Sequence, residues 1–574
     1  MSEVLLYYRQ VNPTTWAYLS SLLIIALYFK FNRFWSVRNL DLALMILLAP
    51  GLLLIHFGQD LQSAAREWKP DPATANSLLQ TNPSKEPKAS DLSSNPKEDT
   101  NATTTEEGSD NPDRDTIAEG QNAATETSKP ASLAKPEAPA SAPPSAPVRV
   151  AETKKNLSRA QDTEPSVSPD FGQVPRIRNA ADRDAIMAHG RDRLFYGYIW
   201  LHGVGILLLI RLLLDSTMSR RPLLEPNLTQ GGLTFVACAL FIFLMANVIK
   251  NSPSKEDMAG PIAAAEMVQG QPLADPSEVP PRQGPGSAII ALLPSIPTIP
   301  ILNEQAREKS AQETAYANVA RGMAIGSHLA IMLGMILIGY RHFDNVKMGV
   351  GAAALFLMLP YTSQMTGRVE HALPAALLIW AVACYRQPTI AGILLGLAAG
   401  VVYYPLFLLP LWLSFYWPRG LMRFVSGLSY SLVTCILALF FFSRNMHEFW
   451  LSIQSMFGVW FPKMTALEGI WNLGWDPLYR LPVITAFLVL SISMALWPAQ
   501  KNLGTLLSCT GAVMVGTQFW HGFGGGLYMA WYLPLLLLTV FRPNLEDRVA
   551  LSVLGEGWFP KRKRRELRAF DRAA

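Results

Sequence analysis

A short polar cluster at the start of an apolar run carries the residue types best suited to chemistry in this sequence. Arg368, Glu370 and His371 follow closely on one another just before a long apolar segment. Ionisable side chains near membrane depth are costly, so each is by default a candidate for function, although an interfacial charge can also simply extend into water. A carboxylate at a helix start also complements the helix dipole, which is a structural reason for Glu370. The cluster therefore predicts either a functional site or a set of solvated interfacial charges.

Other candidates fall at places that should share this face of the molecule. Asp60 follows the second apolar run, and His521 begins a glycine-rich loop between the last two runs. Asp60 is the preferred catalytic carboxylate, and Glu370 is the second choice. The predicted substrate-binding residues are Arg368, His371, Tyr403, Tyr404 and His521.

Metal and cofactor chemistry has no signature in the sequence. There is no Gly-rich phosphate loop, no HExxH motif and no GxSxG motif. The four cysteines lie in apolar runs, without a Cys or His partner at the spacing of metal ligands. We therefore predict no metal site and no cofactor.

The elements that must position these residues are apolar helices. The chain has 574 residues, of which 50% are hydrophobic and 16% charged, and several apolar runs approach the ~20 residues that span a membrane. We predict an all-α polytopic helical membrane protein with about 12–13 transmembrane passes. The predicted spans are Thr15–Phe29, Leu40–Phe57, Leu194–Leu214, Leu233–Ile249, Val319–Tyr340, Met348–Tyr361, His371–Tyr385, Ile390–Tyr403, Leu406–Phe415, Leu421–Phe442, Leu481–Trp497, Leu503–Phe519 and Gly526–Phe541.

The apolar stretch 390–417 is too long for one comfortable crossing, and it contains Pro405 and Pro410. Proline removes an amide donor and clashes with the preceding turn, so we predict two short helices that reverse direction near Tyr404. Broken backbone at membrane depth is tolerated only against protein or a water-filled cavity. The break is therefore the expected wall of a site.

The distribution of basic residues indicates the orientation of the chain. Lys and Arg prefer short cytoplasmic loops, and the basic loops alternate consistently only if the chain reverses at this break. This predicts an extracytoplasmic N-terminus and a cytoplasmic C-terminus in the plasma (inner) membrane. The basic run 561–565 is expected to attract the anionic headgroups of membrane lipids rather than nucleic acid.

Composition divides the chain into six segments. Residues 61–175 are rich in Pro, Ala, Ser, Thr and charged residues, a composition that predicts a disordered extracytoplasmic insertion. In the Pro- and Ala-rich loop 251–318, the apolar part Ala288–Leu302 is expected to lie on the membrane, to plug a cavity or to be poorly ordered. The predicted segments are 1–60 (two spans), 61–175 (insertion), 176–250 (a juxtamembrane helix and two spans), 251–318 (extracytoplasmic loop), 319–541 (membrane core) and 542–574 (basic tail).

The order of features in residues 335–425 resembles that of the GT-C glycosyltransferases, especially the polyprenyl-phosphate-mannose-dependent mannosyltransferases. The resemblance rests on Gly367–Glu370 after a span, a short basic turn at Tyr385–Pro388, a glycine-rich run at 391–398 and the Tyr404–Pro405 break.

The resemblance implies a GT-C-like membrane core that transfers a sugar, such as mannose, from a polyprenyl-phosphate carrier to an extracytoplasmic acceptor. In that scheme Asp60 or Glu370 is the general base. Arg368 and His371 hold the phosphate, and the tyrosines at the break line the groove for the lipid-linked sugar. Two alternatives remain, namely a transporter or flippase that uses the broken helix as its binding point, and a non-catalytic membrane scaffold.

Overall fold

The computed structural model describes residues 12–68, 175, 177–218, 224–269, 283–296, 309–457, 464–465, 467–499 and 501–543. Within these ranges the chain is helical, and the strand-like pairing found there is one isolated bridge between Glu468 and Phe523. The predicted all-α class is therefore confirmed. Most of the predicted insertion 61–175 and of the basic tail 542–574 lies outside the described residues.

Most of the helices follow the predicted apolar runs. The first are α1 (Pro13–Tyr28), α2 (Val37–Ile46), α3 (Leu48–Glu67), α4 (Ala180–Asp215), α5 (Gln230–Lys250), α6 (Lys255–Val268), α7 (Pro285–Ser295), α8 (Lys309–Arg341) and α9 (Val346–Met358). The others are α10 (Pro360–Gln364), α11 (Val369–Ala383), α12 (Pro388–Val401), α13 (Leu409–Tyr416), α14 (Leu421–Phe442), α15 (Met446–Phe457), α16 (Arg480–Leu496), α17 (Leu503–Gln518) and α18 (Leu533–Phe541). Turns of 3₁₀ helix lie at Phe31–Arg33, Tyr404–Leu408, Gly469–Asn472, Pro477–Tyr479 and Met529–Trp531.

Length and composition indicate a multi-pass membrane protein. Large apolar side chains on the long helices point outward, such as Phe235, Ile242 and Met422, as expected for surfaces that face lipid rather than water. The number of passes stays a prediction. In the described part of the chain, the helices long and apolar enough to cross a membrane are Val37–Glu67, Ala180–Asp215, Gln230–Lys250, Gln312–Arg341, Leu421–Phe442 and Pro477–Leu496.

Shorter apolar helices form the centre of the molecule. Almost every side chain of α9, α17 and α18 is buried, as expected for helices that are hydrophobic on all sides. α9 packs against α18, and α11 packs against the 3₁₀ turn Met529–Trp531 that precedes α18. This central packing fixes the start of α11, where the polar cluster lies.

α3 and α4 pack antiparallel through glycines. A Cβ added at Gly58 would come within 2.9 Å of the Gly190 carbonyl oxygen, and one added at Gly197 within 3.1 Å of the Gly51 carbonyl oxygen. Small residues of this kind let two helix backbones approach closely. The pairing brings the C-terminal end of α3 beside the N-terminal half of α4, where both helices carry polar side chains.

The apolar stretch 390–417 is broken, and the chain doubles back. α12 ends at Val401, the 3₁₀ turn follows, and α13 ends at Tyr416. The Tyr416 hydroxyl donates a hydrogen bond of 2.6 Å to the Tyr385 carbonyl, just before α12 begins. The predicted break and return are thus present, although their depth in a membrane stays a prediction.

The expected loop 251–318 is helical in part. α6 and α7 pack against each other, and α7 also contacts α12 and α14. The Gly284 N–H donates a hydrogen bond of 2.7 Å to the Val401 carbonyl, which satisfies one of the acceptors that the end of α12 leaves unpaired. The described apolar part of this segment is therefore a helix packed against the break, rather than poorly ordered chain.

Four buried charged residues form a closed ion cluster where α2 meets the ends of α4 and α18. The Arg211 guanidinium donates to both carboxylate oxygens of Asp41, at 2.6 and 2.9 Å. Asp215 accepts hydrogen bonds from Arg211 at 3.2 Å and from Arg542 at 2.6 Å. Each buried charge therefore meets an opposite charge, which burial requires. The closed cluster and Arg191 lie near opposite ends of α4, on the order of 30 Å apart at the helical rise per residue.

Candidate functional site

A cavity of about 610 Å³ opens where the polar ends of α3 and α4 face the start of α11. We call it the main cavity. Two loop segments, 468–473 and 523–528, complete its wall, and its size is typical of small-molecule sites. The charged residues that line it are Arg66, Arg191, Arg368, Glu370 and Glu468.

Glu370 and His371 occupy the first turn of α11 and face the main cavity from buried positions. Glu370 Oε1 lies 3.6 Å from His371 Nε2 and 4.0 Å from Arg368. The other ring nitrogen of His371, Nδ1, shares a hydrogen bond of 2.8 Å with the Tyr361 hydroxyl. Carboxylate, imidazole and phenol are thus held in a fixed order at the cavity wall.

Asp257 anchors the start of α11 from another helix. Its carboxylate forms a capping box with Ser254 at the start of α6, and it also accepts a 3.0 Å hydrogen bond from the Val369 N–H. One side chain therefore satisfies amides at the starts of two helices. The Arg368 guanidinium joins this cluster, 3.7 Å from Asp257 and 3.3 Å from Glu256. Burial raises the pKa of the Asp257 carboxyl above its ordinary value, and Arg368 opposes that shift.

A proline leaves the backbone carbonyl of Glu370 free to bind another element. Pro374 lies one turn later in α11 and has no N–H to donate to this carbonyl. The Trp531 indole N–H donates to it instead, at 3.3 Å. This hydrogen bond ties the start of α11 to the segment before α18.

A row of rings in contact runs from the cavity wall to the chain break. His371 packs on Tyr528 and Tyr528 on His521, each with 4.3 Å between ring centroids. The row continues from His521 to Tyr404 at 4.5 Å and from Tyr404 to Tyr403 at 4.2 Å. Contacts of this kind contribute about 0.5–1.5 kcal/mol each. The structure therefore brings these predicted binding residues together, but Tyr403, Tyr404 and His521 support the cavity wall and do not line the main cavity.

The glycine-rich loop before α18 is shaped by Gln518 and by a pair of glycines. Gln518 Oε1 accepts hydrogen bonds from the N–H groups of Gly526 and Tyr528, both at 3.2 Å. Gly469 and Gly524 have φ values of +70° and +81°, and a Cβ at Gly469 would come within 2.7 Å of the Gly524 Cα. Glycine adopts this backbone conformation without steric cost. The close approach joins the two loops that complete the main cavity.

Arg66 and Arg191 add positive charge to the open side of the main cavity. Both side chains are exposed, and neither makes a hydrogen bond or ion pair with another residue that the structure describes. A guanidinium without an acidic partner is well suited to bind carboxylate or phosphate oxygens in pairs.

Asp60 does not line the main cavity. Its carboxylate lies 3.4 Å from His56 Nε2, and its side chain is 46% exposed. The preceding residue, Gln59, does line the cavity, and successive helical residues point about 100° apart. The preferred choice for the catalytic carboxylate is therefore not brought to this site, whereas the second choice, Glu370, is.

Sequence inspection missed three residues that hold the site, namely Asp257, Tyr361 and Tyr528. Asp257 lies in a segment expected to be a loop, but the spacing from Ser254 to Asp257 matches a capping box and could have revealed the helix start. Tyr361 and Tyr528 carry no comparable signal, because their contacts with His371 depend on the packing of separate segments.

The site places a buried carboxylate and several cations around the same space. In the described ranges, no group of three or more His, Cys, Asp or Glu side chains is arranged to hold a metal ion, and metal independence stays a prediction.

No protein-family model, curated protein or solved structure matches this chain.

Proposed function

We propose that this protein is a GT-C-like glycosyltransferase of the plasma (inner) membrane, which transfers a sugar from a polyprenyl-phosphate carrier to an extracytoplasmic acceptor. The observation that supports this most is the main cavity, where Glu370 and three arginines face one space. Sugar transfer from a phosphate carrier needs a general base that deprotonates the acceptor hydroxyl and cations that stabilise the departing phosphate. The main cavity brings both kinds of group to one space. The basic loops favour an extracytoplasmic N-terminus and a cytoplasmic C-terminus, which puts this cavity on the outer side.

The donor phosphate is held by the arginines in this proposal. Arg66 and Arg191 lie on the open side without acidic partners among the residues that the structure describes, and a lipid phosphate supplies an anion for them. Arg368 is held in place by Asp257 and Glu256. It therefore presents a positioned charge near the base rather than a mobile one.

Sugar transfer then follows from the positions of Arg368, Glu370 and His371. A bond forms between the acceptor oxygen and the anomeric carbon as the bond from that carbon to the phosphate oxygen breaks, and the electron pair leaves with the phosphate. Glu370 takes the proton of the acceptor hydroxyl, and Arg368 stabilises the charge that develops on the phosphate. His371, held by Tyr361, lies 3.6 Å from Glu370 Oε1 and helps to position that carboxylate.

Two further features support the proposal. The chain breaks at the Tyr-Pro pair that carries the resemblance, and Tyr404 packs through His521 and Tyr528 onto His371. The break thus stabilises the cavity wall from behind, in agreement with the expected link between broken backbone and a wet site.

The proposal is tested by measuring transfer of label from a radiolabelled polyprenyl-phosphate sugar in membranes that contain the protein. We expect Glu370→Gln to lower the rate by about 10²-fold or more, because a general base is removed while shape is kept. Asp60→Asn is the matched control, and we expect it to keep the rate within about twofold because Asp60 lies outside the cavity.

The affinity for the carrier is measured separately. We expect Arg66→Gln and Arg191→Gln each to weaken binding of polyprenyl phosphate about tenfold, the usual effect of losing a hydrogen bond to a charged group. Full transfer activity in both Glu370→Gln and Asp60→Asn would overturn the enzymatic assignment. Binding of the carrier without any transfer would instead favour the carrier or scaffold alternatives.

A further inference from the structure

A short loop joins α1 to α2 and presents aromatic side chains to the outside. It comprises residues 29–36, and we call it the connecting loop. Its exposed rings are Phe31, Phe34 and Trp35, and Trp35 is 91% exposed. Large apolar side chains that lie together on a surface mark a place that another molecule covers.

The backbone of the connecting loop is held in one shape by a buried amide. The Asn39 side chain is only 2% exposed, and its Nδ2 donates hydrogen bonds to the carbonyl oxygens of Lys30 at 2.9 Å and Arg33 at 3.0 Å. Its Oδ1 accepts a hydrogen bond of 3.3 Å from the Lys30 N–H. The side chains that the loop presents therefore start from fixed positions.

Two basic side chains lie among the exposed rings. Arg33 is exposed and Lys30 is half-buried. Neither side chain makes a hydrogen bond or ion pair with another residue that the structure describes. Ammonium and guanidinium groups without an acidic partner are well suited to bind phosphate oxygens.

The connecting loop lies where the outward apolar surface of two helices ends. Leu19 and Leu22 of α1 and Leu40 of α2 are exposed, as expected for side chains that face lipid tails rather than water. The loop lies between these helices in the chain, so its rings and cations come at the edge of that surface. Aromatic and basic residues are the types that occupy the interface between membrane and water.

The closed ion cluster shows at which end of the molecule the connecting loop lies. Asp41 of α2, the helix that follows the loop, pairs with Arg211, which also pairs with Asp215. Asp215 in turn pairs with Arg542, at the start of the basic tail. The loop and the start of the tail therefore share one end. Basic residues favour the cytoplasmic side for this end, where the leaflet carries anionic lipids.

We infer that the connecting loop binds the headgroup of an anionic phospholipid, with Lys30 and Arg33 as the phosphate-binding residues. Phe31, Phe34 and Trp35 lie around that headgroup in the interface. Charge selects the class of lipid, because phosphatidylcholine carries a cation of its own that the two basic side chains repel, whereas phosphatidylglycerol carries none. This binding site is separate from the main cavity and does not depend on the proposed sugar transfer.

The inference is tested on the full-length protein in nanodiscs of phosphatidylcholine that contain a small fraction of one brominated lipid. Bromine quenches tryptophan fluorescence at short range, and subtraction of the signal of Trp35→Phe isolates the contribution of Trp35. This substitution at an exposed position should leave folding intact. We expect brominated phosphatidylglycerol to quench Trp35 more strongly than brominated phosphatidylcholine at the same fraction.

Removal of the charges identifies the binding groups. Lys30→Gln with Arg33→Gln should lower the preference for phosphatidylglycerol about fivefold or more, since each basic side chain near an anionic surface contributes about that factor. Arg419→Gln with Arg423→Gln is the matched control. It removes the same charge from exposed side chains around the start of α14, and it should leave the preference at Trp35 unchanged.

Three outcomes contradict the inference. Equal quenching of Trp35 by the two brominated lipids would show that the connecting loop does not select the anionic headgroup. Equal loss of the preference in both double variants would assign it to the net charge of the protein rather than to this loop. Quenching by neither lipid would show that the loop does not lie in the membrane interface and that another protein covers its rings.

Discussion

The closed ion cluster and the main cavity contain the same types of charged residue, but the charges are paired in the cluster and partly unpaired at the cavity. In the closed cluster, Arg211 and Arg542 form ion pairs with Asp41 and Asp215, and every one of these side chains is buried. At the main cavity, Arg368 is held by acids, but other arginines face open space without a partner in the described part of the chain. Charge is compensated internally at one end of α4 and left available at the other.

The difference separates the charges that the folded state needs for stability from those that are available to bind a ligand. A buried ion pair contributes little net stability, but removal of one partner leaves an uncompensated charge and is strongly destabilising. An exposed arginine beside a cavity contributes almost nothing to folding, since water already solvates it. The stability of the first cluster and the ligand affinity of the second are therefore expected to respond to mutation in separate experiments.

The strongest test removes one arginine from each cluster. We expect Arg211→Ala to lower the free energy of unfolding by about 3–5 kcal/mol, because Asp41 is left buried without its partner. Arg66→Ala should change it by less than about 0.5 kcal/mol. Unfolding in mixed detergent micelles measures both, and equal losses in the two variants would remove the distinction between the clusters.

A double substitution identifies the cause of that loss. Replacement of both partners, Asp41→Leu with Arg211→Met, removes the uncompensated charge and should recover most of the stability lost in Arg211→Ala, because apolar replacements of a buried pair are often neutral. Asp215 keeps Arg542 as its partner in this variant. A double variant as unstable as the single one would show that shape rather than charge holds this end of the bundle.

A smaller loss of stability is expected when Asp257, which caps two helices beside the main cavity, is replaced. Asp257→Ala removes the acceptor that caps α6 and α11, and we expect a loss of about 1–2 kcal/mol in the free energy of unfolding. Transfer activity should fall as well, since Arg368 loses an anchor. Glu256→Ala is the control, because Glu256 contacts Arg368 but caps neither helix. Equal effects of both variants would assign the loss to Arg368 alone.

A still smaller effect concerns the Glu370 carbonyl. Trp531→Phe removes its hydrogen-bond donor and should cost about 1 kcal/mol. Adding Pro374→Ala restores a helical N–H one turn away and should return that stability. Unfolding measurements on the single and double variants check this, and no recovery would mean that the indole acts through packing.

Much of the fold could be predicted from the sequence because apolar length and proline position are local signals. The break before Tyr404 follows from the prolines at 405 and 410, and the structure has the expected return of the chain. Glu370 and His371 were identified because ionisable residues beside an apolar run are unusual. These features depend on neighbours within a few positions.

The remaining parts of the site depend on rotation and long-range packing. Asp60 was preferred as the base, but a rotation of about one residue on α3 turns it away while Gln59 faces the cavity. Tyr528 reaches His371 only because the two loops before α16 and α18 close on each other through Gly469 and Gly524. Composition of residues 251–318 hid α6, although its capping box was present in the sequence.

The smallest expected effect is the pH dependence that Asp257 gives to the free energy of unfolding. Burial raises the pKa of this carboxyl in the folded protein, so the folded chain holds the proton to higher pH than the unfolded chain does. Above the unfolded pKa of about 3.9, the folded state therefore binds more protons, and its stability falls as pH rises through the window up to the folded pKa.

Asp257→Asn keeps an acceptor oxygen but does not titrate. We therefore expect the unfolding free energy of the wild type, minus that of Asp257→Asn, to decrease as the pH rises above about 4, by less than about 1.4 kcal/mol per pH unit. The same difference taken with the exposed Asp184→Asn is the control, and a difference that rises with pH for Asp257 would mean that Arg368 and the two helix starts outweigh its burial.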